Sequence, residues 1–231
     1  MRTEHLQIGS LEVKVKFKPI KNLHLSVHPP FGNVTVSSPE FFDLDKIKVY
    51  LITKIAWIKR EQKKIASQER EGEKLMITRE SHYFLGKRYL LKVTEAKRAS
   101  VKIHHQVIEL FSPEHYTTEQ KQKQLDNWYR RELITVLGKL LTHHLRIMNL
   151  TLDTYCVRKM KTKWGSCNNE NRTLNFNIEL IKKPIECIDY IIVHELVHLL
   201  ERNHNKDFII LMDCYLPNWR TQKKILNDLP I

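Results

Sequence analysis

The residues best equipped for chemistry are His194-Glu195-Leu196-Val197-His198, followed by His204. On an α-helix, side chains four residues apart differ by about 40° in direction and about 6 Å in height. His194 and His198 therefore aim at one ion from one side, as a tetrahedral Zn2+ requires. Glu195 lies about 100° around the helix from His194, where it reaches water on the ion without being a ligand. Chance gives roughly 0.05 five-residue matches of this kind in such a chain, and roughly 0.0025 once the further histidine is required. His204 lies about 9 Å farther along the axis than His198 if the helix continues, so the chain must turn back to bring it to the ion. Asn203 tolerates the left-handed conformation that ends helices, which places the turn at Arg202-Asn203. Glu201 falls on nearly the same helix face as His194 and competes for the third position. His204 is the favoured ligand, with Glu201 as a group supporting the ligands.

Three histidines leave one zinc position for water, whose pKa falls to about 7. Glu195 then removes its proton and passes one to the leaving group, while zinc polarises the attacked carbonyl. The expected chemistry is zinc-dependent hydrolysis, most simply of a peptide bond. Two other readings stay open: hydrolysis of a nucleotide or other phosphate compound, and a nucleic-acid-associated protease or binding protein. Trp164, Gly165 and Ser166 either line the substrate cleft or form a tight structural turn.

The helix that carries the motif starts near Pro184. Ile188, Ile192 and Leu199 occupy one side and Val193, Val197 and Leu200 another, so it should be buried. Thr117 and Gln120 form a capping box for a long helix to about residue 147, with Leu125, Trp128, Leu133, Leu137 and Leu141 on one side. His143 and His144 near its end read as surface residues or as favouring the helix dipole. Two strand-like runs, Tyr155–Met160 and Thr173–Ile178, flank the loop that holds Trp164–Asn169. Helical stretches at about 205–214 and 218–228 finish the chain.

The first part reads as strands. Leu11, Val13, Val15 and Phe17 alternate with charged residues, and Leu23, Leu25 and Val27 repeat the pattern. Pro29–Asn33 makes a turn into a short strand at Val34–Val36. Ser38 and Pro39 suit the cap and first position of a helix reaching about residue 66. A hairpin is expected at Gly86, and residues 101–110 look like one strand. The boundary is placed at Ser112-Pro113, with a strand-rich basic region over 1–112 and a catalytic domain over 113–231. No internal repeat is visible.

The chain has 231 residues, 42% hydrophobic and 28% charged, so it can bury a core as a globular protein. No apolar run is long enough to span a membrane, and no signal-peptide stretch opens the sequence. The four cysteines include no C-x-x-C pair and read as reduced, mostly buried thiols. A cytoplasmic setting is therefore expected. The net charge is +13, and residues 1–100 hold 20 basic against 11 acidic residues. That excess allows a polyanion or nucleic-acid contact through the N-terminal region, although a solvated surface explains it as simply.

With these motifs in view, the chain resembles the YgjP-like metallopeptidases, a family related to the SprT-like and WLM zinc proteases. The likeness rests on Lys163-Trp164-Gly165-Ser166-Cys167, Leu174-Asn175-Phe176-Asn177, the His194–His198 motif, and Asn203-His204 with Phe208. It also takes in the strand-rich first part and Leu85-Gly86-Lys87-Arg88-Tyr89. The resemblance implies an α+β chain whose zincin-like half has a backing helix, a small sheet and an active-site helix. It further implies zinc on His194, His198 and His204, with Glu195 as base and a peptide or protein as substrate. Lys163 departs from the arginine usual there, which changes how the position meets a carboxylate or phosphate.

Overall fold

A computed structural model describes residues 2–28, 32–67 and 74–228. The fold is α+β, and its compact units divide between Arg70 and Glu71.

The first unit begins with β1 (Thr3–Ile8), β2 (Leu11–Lys18), β3 (His24–His28) and β4 (Asn33–Pro39), in spatial order β1-β2-β4-β3. The outer pairs are antiparallel and the central pair, β2 with β4, is parallel. Period-2 alternation puts Val13, Val15, Phe17, Val34 and Val36 on one buried face. Helix α1 (Leu44–Ser67) adds Ile47, Leu51 and Ile58 to that core. Ser38 and Pro39 do not start the helix: they end β4, where Pro39 pairs with Lys18. Ser38 is fully buried and its hydroxyl donates to the carbonyl of Pro39. Asp43 takes the capping role instead, accepting from the Lys46 N–H at 2.7 Å. Pro29, Pro30 and Phe31 of the expected turn lie outside the described residues.

The second unit opens with β5 (Ser81–Phe84), β6 (Lys87–Glu95), β7 (Ser100–His104) and β8 (Val107–Ser112), in order β5-β6-β8-β7. Its central pair is again parallel and its outer pairs antiparallel. A repeat is thus present in the strand pairing, although none was visible in the residues. The expected single strand at 101–110 is a hairpin, β7 and β8, turning at His105 with φ +50°. Its turn lacks Gly, Asn and Pro and relies on histidine's tolerance of left-handed backbone.

The predicted backing helix is α2 (Thr118–Ile147), and both hydrogen bonds of its Thr117–Gln120 capping box form. Three short strands follow: β9 (Thr154–Arg158), β10 (Gly165–Asn168) and β11 (Thr173–Asn177), in order β10-β11-β9. The Trp164–Asn169 segment expected as a loop therefore supplies an edge strand. A 3-10 turn over Ile178–Lys182 leads into α3 (Ile185–Val197), and α4 (Lys206–Tyr215) and α5 (Trp219–Asp228) complete the chain.

The boundary at 112/113 needs correction. Leu91, Ile108 and Leu110 of the β5–β8 sheet share one core with Leu125 and Leu133 of α2 and Ile188 and Ile192 of α3. Strand-rich sequence does not mark a domain here, because the second sheet is one wall of the core that also holds α2 and α3. No helix among the described residues is long and apolar enough to cross a membrane.

Candidate active site

Helix α3 is buried on nearly every side, with Ile188, Ile192, Val193, Leu196 and Val197 all at 0% exposure. Such a helix keeps a fixed position, which suits side chains that must converge on an ion. Its link to α2 is polar: His144 Nε2 lies 2.6 Å from Asp189 Oδ1. His144 is thus buried and structural rather than a surface residue near the helix end. Sequence spacing gave no hint of this, since Asp189 is far along the chain.

His194 and Glu195 lie in the last turn of α3, and His198 is its C-cap residue, still right-handed. The chain then tightens through bonds from Leu199 N–H to Leu196 O and from Leu200 N–H to Val197 O. Asn203 is not left-handed as expected. Its N–H instead donates to Glu201 Oε1 at 2.9 Å, so the Glu201 carboxylate holds the turn. The backbone carbonyl of Glu201 lies 3.1 Å from His198 Nδ1, which leaves His198 Nε2 free to face the cleft. Asn205 then caps α4 by accepting from the Phe208 N–H.

The turn brings the three histidines together. One ring nitrogen from each of His194, His198 and His204 lies within 4.8 Å of the others. His194 Nε2 and His204 Nε2 are 3.1 Å apart, and a tetrahedral zinc would hold two such nitrogens about 3.3 Å apart. Phe208 forms the floor, its ring centroid 5.0, 4.8 and 4.7 Å from those of His194, His198 and His204. Tyr190, one turn before His194, packs against its edge and stacks on Trp219. Of these supports only Phe208 figured in the sequence reading, as part of a motif.

Burial, reinforced by His198 and His204, pushes the His194 pKa down to about 3. Burial likewise lowers that of His198. Both rings are therefore neutral near pH 7, the form that binds a metal. Glu195 is only 5% exposed, and burial raises its pKa to about 7 against the opposing charge of Lys163.

Strand β10 forms the opposite wall of a cleft of about 680 Å³ lined by Trp164, Gly165, Ser166, Glu195 and the three histidines. A Cβ on Gly165 would stand 2.6 Å from Glu195 Oε1, so this glycine lets the edge strand lie directly on the carboxylate. Asn177 fixes the approach to β10: its amide donates to the carbonyls of Met160 and Lys163, each at 2.9 Å. The Asn175 amide reaches Ser166 Oγ at 3.4 Å. The two asparagines of Leu174-Asn175-Phe176-Asn177 thereby hold Trp164–Ser166 in place. Cys167 also borders the cleft, and burial pushes its thiol up to about 11.

None of the curated proteins matches this chain. Among solved structures it is similar to the metallopeptidase zymogen abylysin of Pyrococcus abyssi, with 23% identity over 38% of this chain and 87% of that one, at a TM-score of 0.35. The jannalysin zymogen of Methanocaldococcus jannaschii shows 22% identity over 39% of this chain and 92% of its own, also at 0.35. The family-level match is broader: over residues 21–229 the chain belongs to the YgjP-like metallopeptidase domain family.

Proposed function

We propose that this chain is a zinc-dependent peptidase in which His194, His198 and His204 hold the ion and Glu195 is the general base. The observation that carries this reading is the convergence of three imidazole nitrogens within 4.8 Å of one another, beside a buried carboxylate in one cleft. Zinc bound there supplies Lewis acidity, polarising a carbonyl and acidifying water. Glu195, shielded from bulk solvent, takes a proton from the attacking water and returns one to the leaving amine. Among the described residues strand β10 pairs with β11 alone, so its other edge can receive an extended peptide by strand addition. Trp164, Gly165 and Ser166 belong to that edge and serve as substrate contacts. The four cysteines are free thiols, which suits a cytoplasmic setting. A polyanion contact through residues 1–112 rests on charge alone and plays no part here.

The test combines metal analysis with product identification from a peptide library. Glu195→Gln should keep zinc and lose turnover by about 10²–10⁴-fold. His204→Ala should lose tight zinc binding; full retention would pass the third position to Glu201. Phosphate release from nucleoside triphosphates, without peptide products, would replace the peptidase reading.

A further inference from the structure

The charged side chains that line the cleft differ in exposure. Lys163 and Arg202 line it together with the histidines, and its acids are Glu170 and Glu195. Glu195 lies in the cleft wall under Gly165, whereas Lys163, Arg202 and Glu170 are exposed, two cations to one acid. Neither cation engages its side chain in a hydrogen bond or ion pair among the described residues. Other lysines of the same unit are committed: Lys182 pairs with Glu179 at 2.6 Å and Lys159 with Asp126 at 3.4 Å. Behind the cleft, the Lys183 ammonium sits 5.4 Å from the centre of the Trp164 ring. A divalent ion held by neutral imidazoles adds further positive charge to the same space. With it, positive charge exceeds negative on the exposed lining and draws in anionic ligands.

We infer that this cleft selects peptides bearing a carboxylate close to the bond that is attacked, with Lys163 and Arg202 as the receiving cations. The inference rests on the peptidase reading and names the substrate class for it. Arg202 offers a planar fork that matches a carboxylate, whereas Lys163 offers a mobile point charge. The carboxylate comes from an acidic side chain or from a free peptide C-terminus, and both present the same group.

The experiment uses zinc-loaded full-length protein and matched peptides flanked by Glu, Gln or Lys, each with a free or an amidated C-terminus. Binding is read by fluorescence anisotropy on the Glu195→Gln variant, and kcat and KM on the wild type. The Glu-flanked peptide should bind about tenfold more tightly than the Gln-flanked one, with the gap closing as salt rises. Lys163→Glu and Arg202→Glu should each reduce that preference about fivefold, through KM, with zinc content and circular dichroism unchanged. Lys163→Arg should preserve it. Preference that follows the free C-terminus would assign the carboxylate to the chain end. Equal binding of Glu and Gln peptides, or tightest binding of the Lys peptide, overturns the inference and leaves the peptidase reading standing. If the zinc-loaded wild type cleaves none of the peptides, the peptidase reading falls; charge selection is still judged by binding.

Discussion

The two four-stranded sheets share a frame but not a task. In the first, the central parallel pairs are Val13 with Val34 and Val15 with Val36; in the second they are Leu91 with Ile108 and Val93 with Leu110. Leu25 and Val27 flank the first pair as Val101 and Ile103 flank the second. Each fourth strand is followed or ended by a Ser-Pro step, Ser38-Pro39 and Ser112-Pro113, and a long helix comes next. The difference lies in what else each frame touches. A Cβ at Gly9, in the first hairpin, would meet nothing within 4 Å, whereas one at Gly86 would lie 2.8 Å from the Pro184 ring. Around Gly86 the N–H groups of Leu85 and Gly86 donate to the carbonyls of Ile181 and Lys182, at 2.8 and 3.2 Å. The second hairpin therefore braces the start of α3. On α2, Tyr129 donates to the Tyr83 carbonyl, Arg130 to that of Val157, and His144 holds Asp189. One ββββα frame thus becomes a catalytic scaffold through its added attachments, as expected when function resides in sites built on folds.

The buried polar groups divide the same way, and the largest predicted effect follows from them. Among the described residues, the first unit buries Ser38 as its only polar side chain, while the second buries His82, Ser112, His144, Asn177, Lys183, Glu195 and Gln222. Glu195 is the costly one: its pKa rises from 4.5 to about 7 on folding. Between those values the folded metal-free protein holds the proton more firmly than the unfolded chain does. Stability therefore falls as pH rises through that window, and the penalty is complete above about pH 7. Metal-free Glu195→Gln should gain on the wild type by about 3 kcal/mol between pH 4 and pH 8. His194 titrates in both proteins and cancels in the difference. Urea unfolding at the two pH values checks it, and a pH-independent gap would show that burial places no such load on this unit.

Next in size is Gly165→Ala. The added methyl must displace either β10 or the Glu195 carboxylate, since 2.6 Å is far inside contact distance. Displacing a reacting group by about 1 Å costs about 100-fold in rate. The loss should appear in kcat, with zinc still bound. Loss of zinc instead would mean that the strand also positions the histidines.

How far the sequence discloses each region follows from the range of the interactions concerned. The His194–His198 spacing is local, so it was legible, and the later histidine stood out because chance rarely supplies it. Thr117 and Gln120 are equally local, and their capping box forms as read. Ser38 and Ser112 show the opposite case: identical Ser-Pro steps were read once as a helix start and once as a domain boundary, yet both stand at the ends of equivalent strands. Only long-range pairing distinguishes these roles. The repeat was hidden because pairing conserves apolar character rather than residue identity, with valines in one sheet and mainly leucine and isoleucine in the other. The long-range contacts of His144, Gly165 and Gly86 went unread for a related reason: their partners Asp189, Glu195 and Pro184 are distant in sequence. Phe208 sits one helical turn beyond His204, close enough to appear in a motif but without a chemical group to reveal its role as floor.

The smallest effects give the sharpest control, because they compare the two hairpin turns directly. Gly9 and Gly86 both have positive φ, +58° and +77°, so alanine at either position suffers left-handed strain of about 1 kcal/mol. At Gly9 that is the whole cost. At Gly86 the methyl also collides with the ring, Cα and nitrogen of Pro184, and overpacking adds about 1 kcal/mol or more. Gly86→Ala should therefore destabilise by about 2 kcal/mol and weaken zinc binding, because the Pro184 it presses on is the cap residue of α3. Gly9→Ala should leave zinc affinity untouched. Equal costs for the two variants, or equal zinc affinities, would mean that the second hairpin merely touches the active-site helix, and the distinction between frame and scaffold would have to rest on α2 alone.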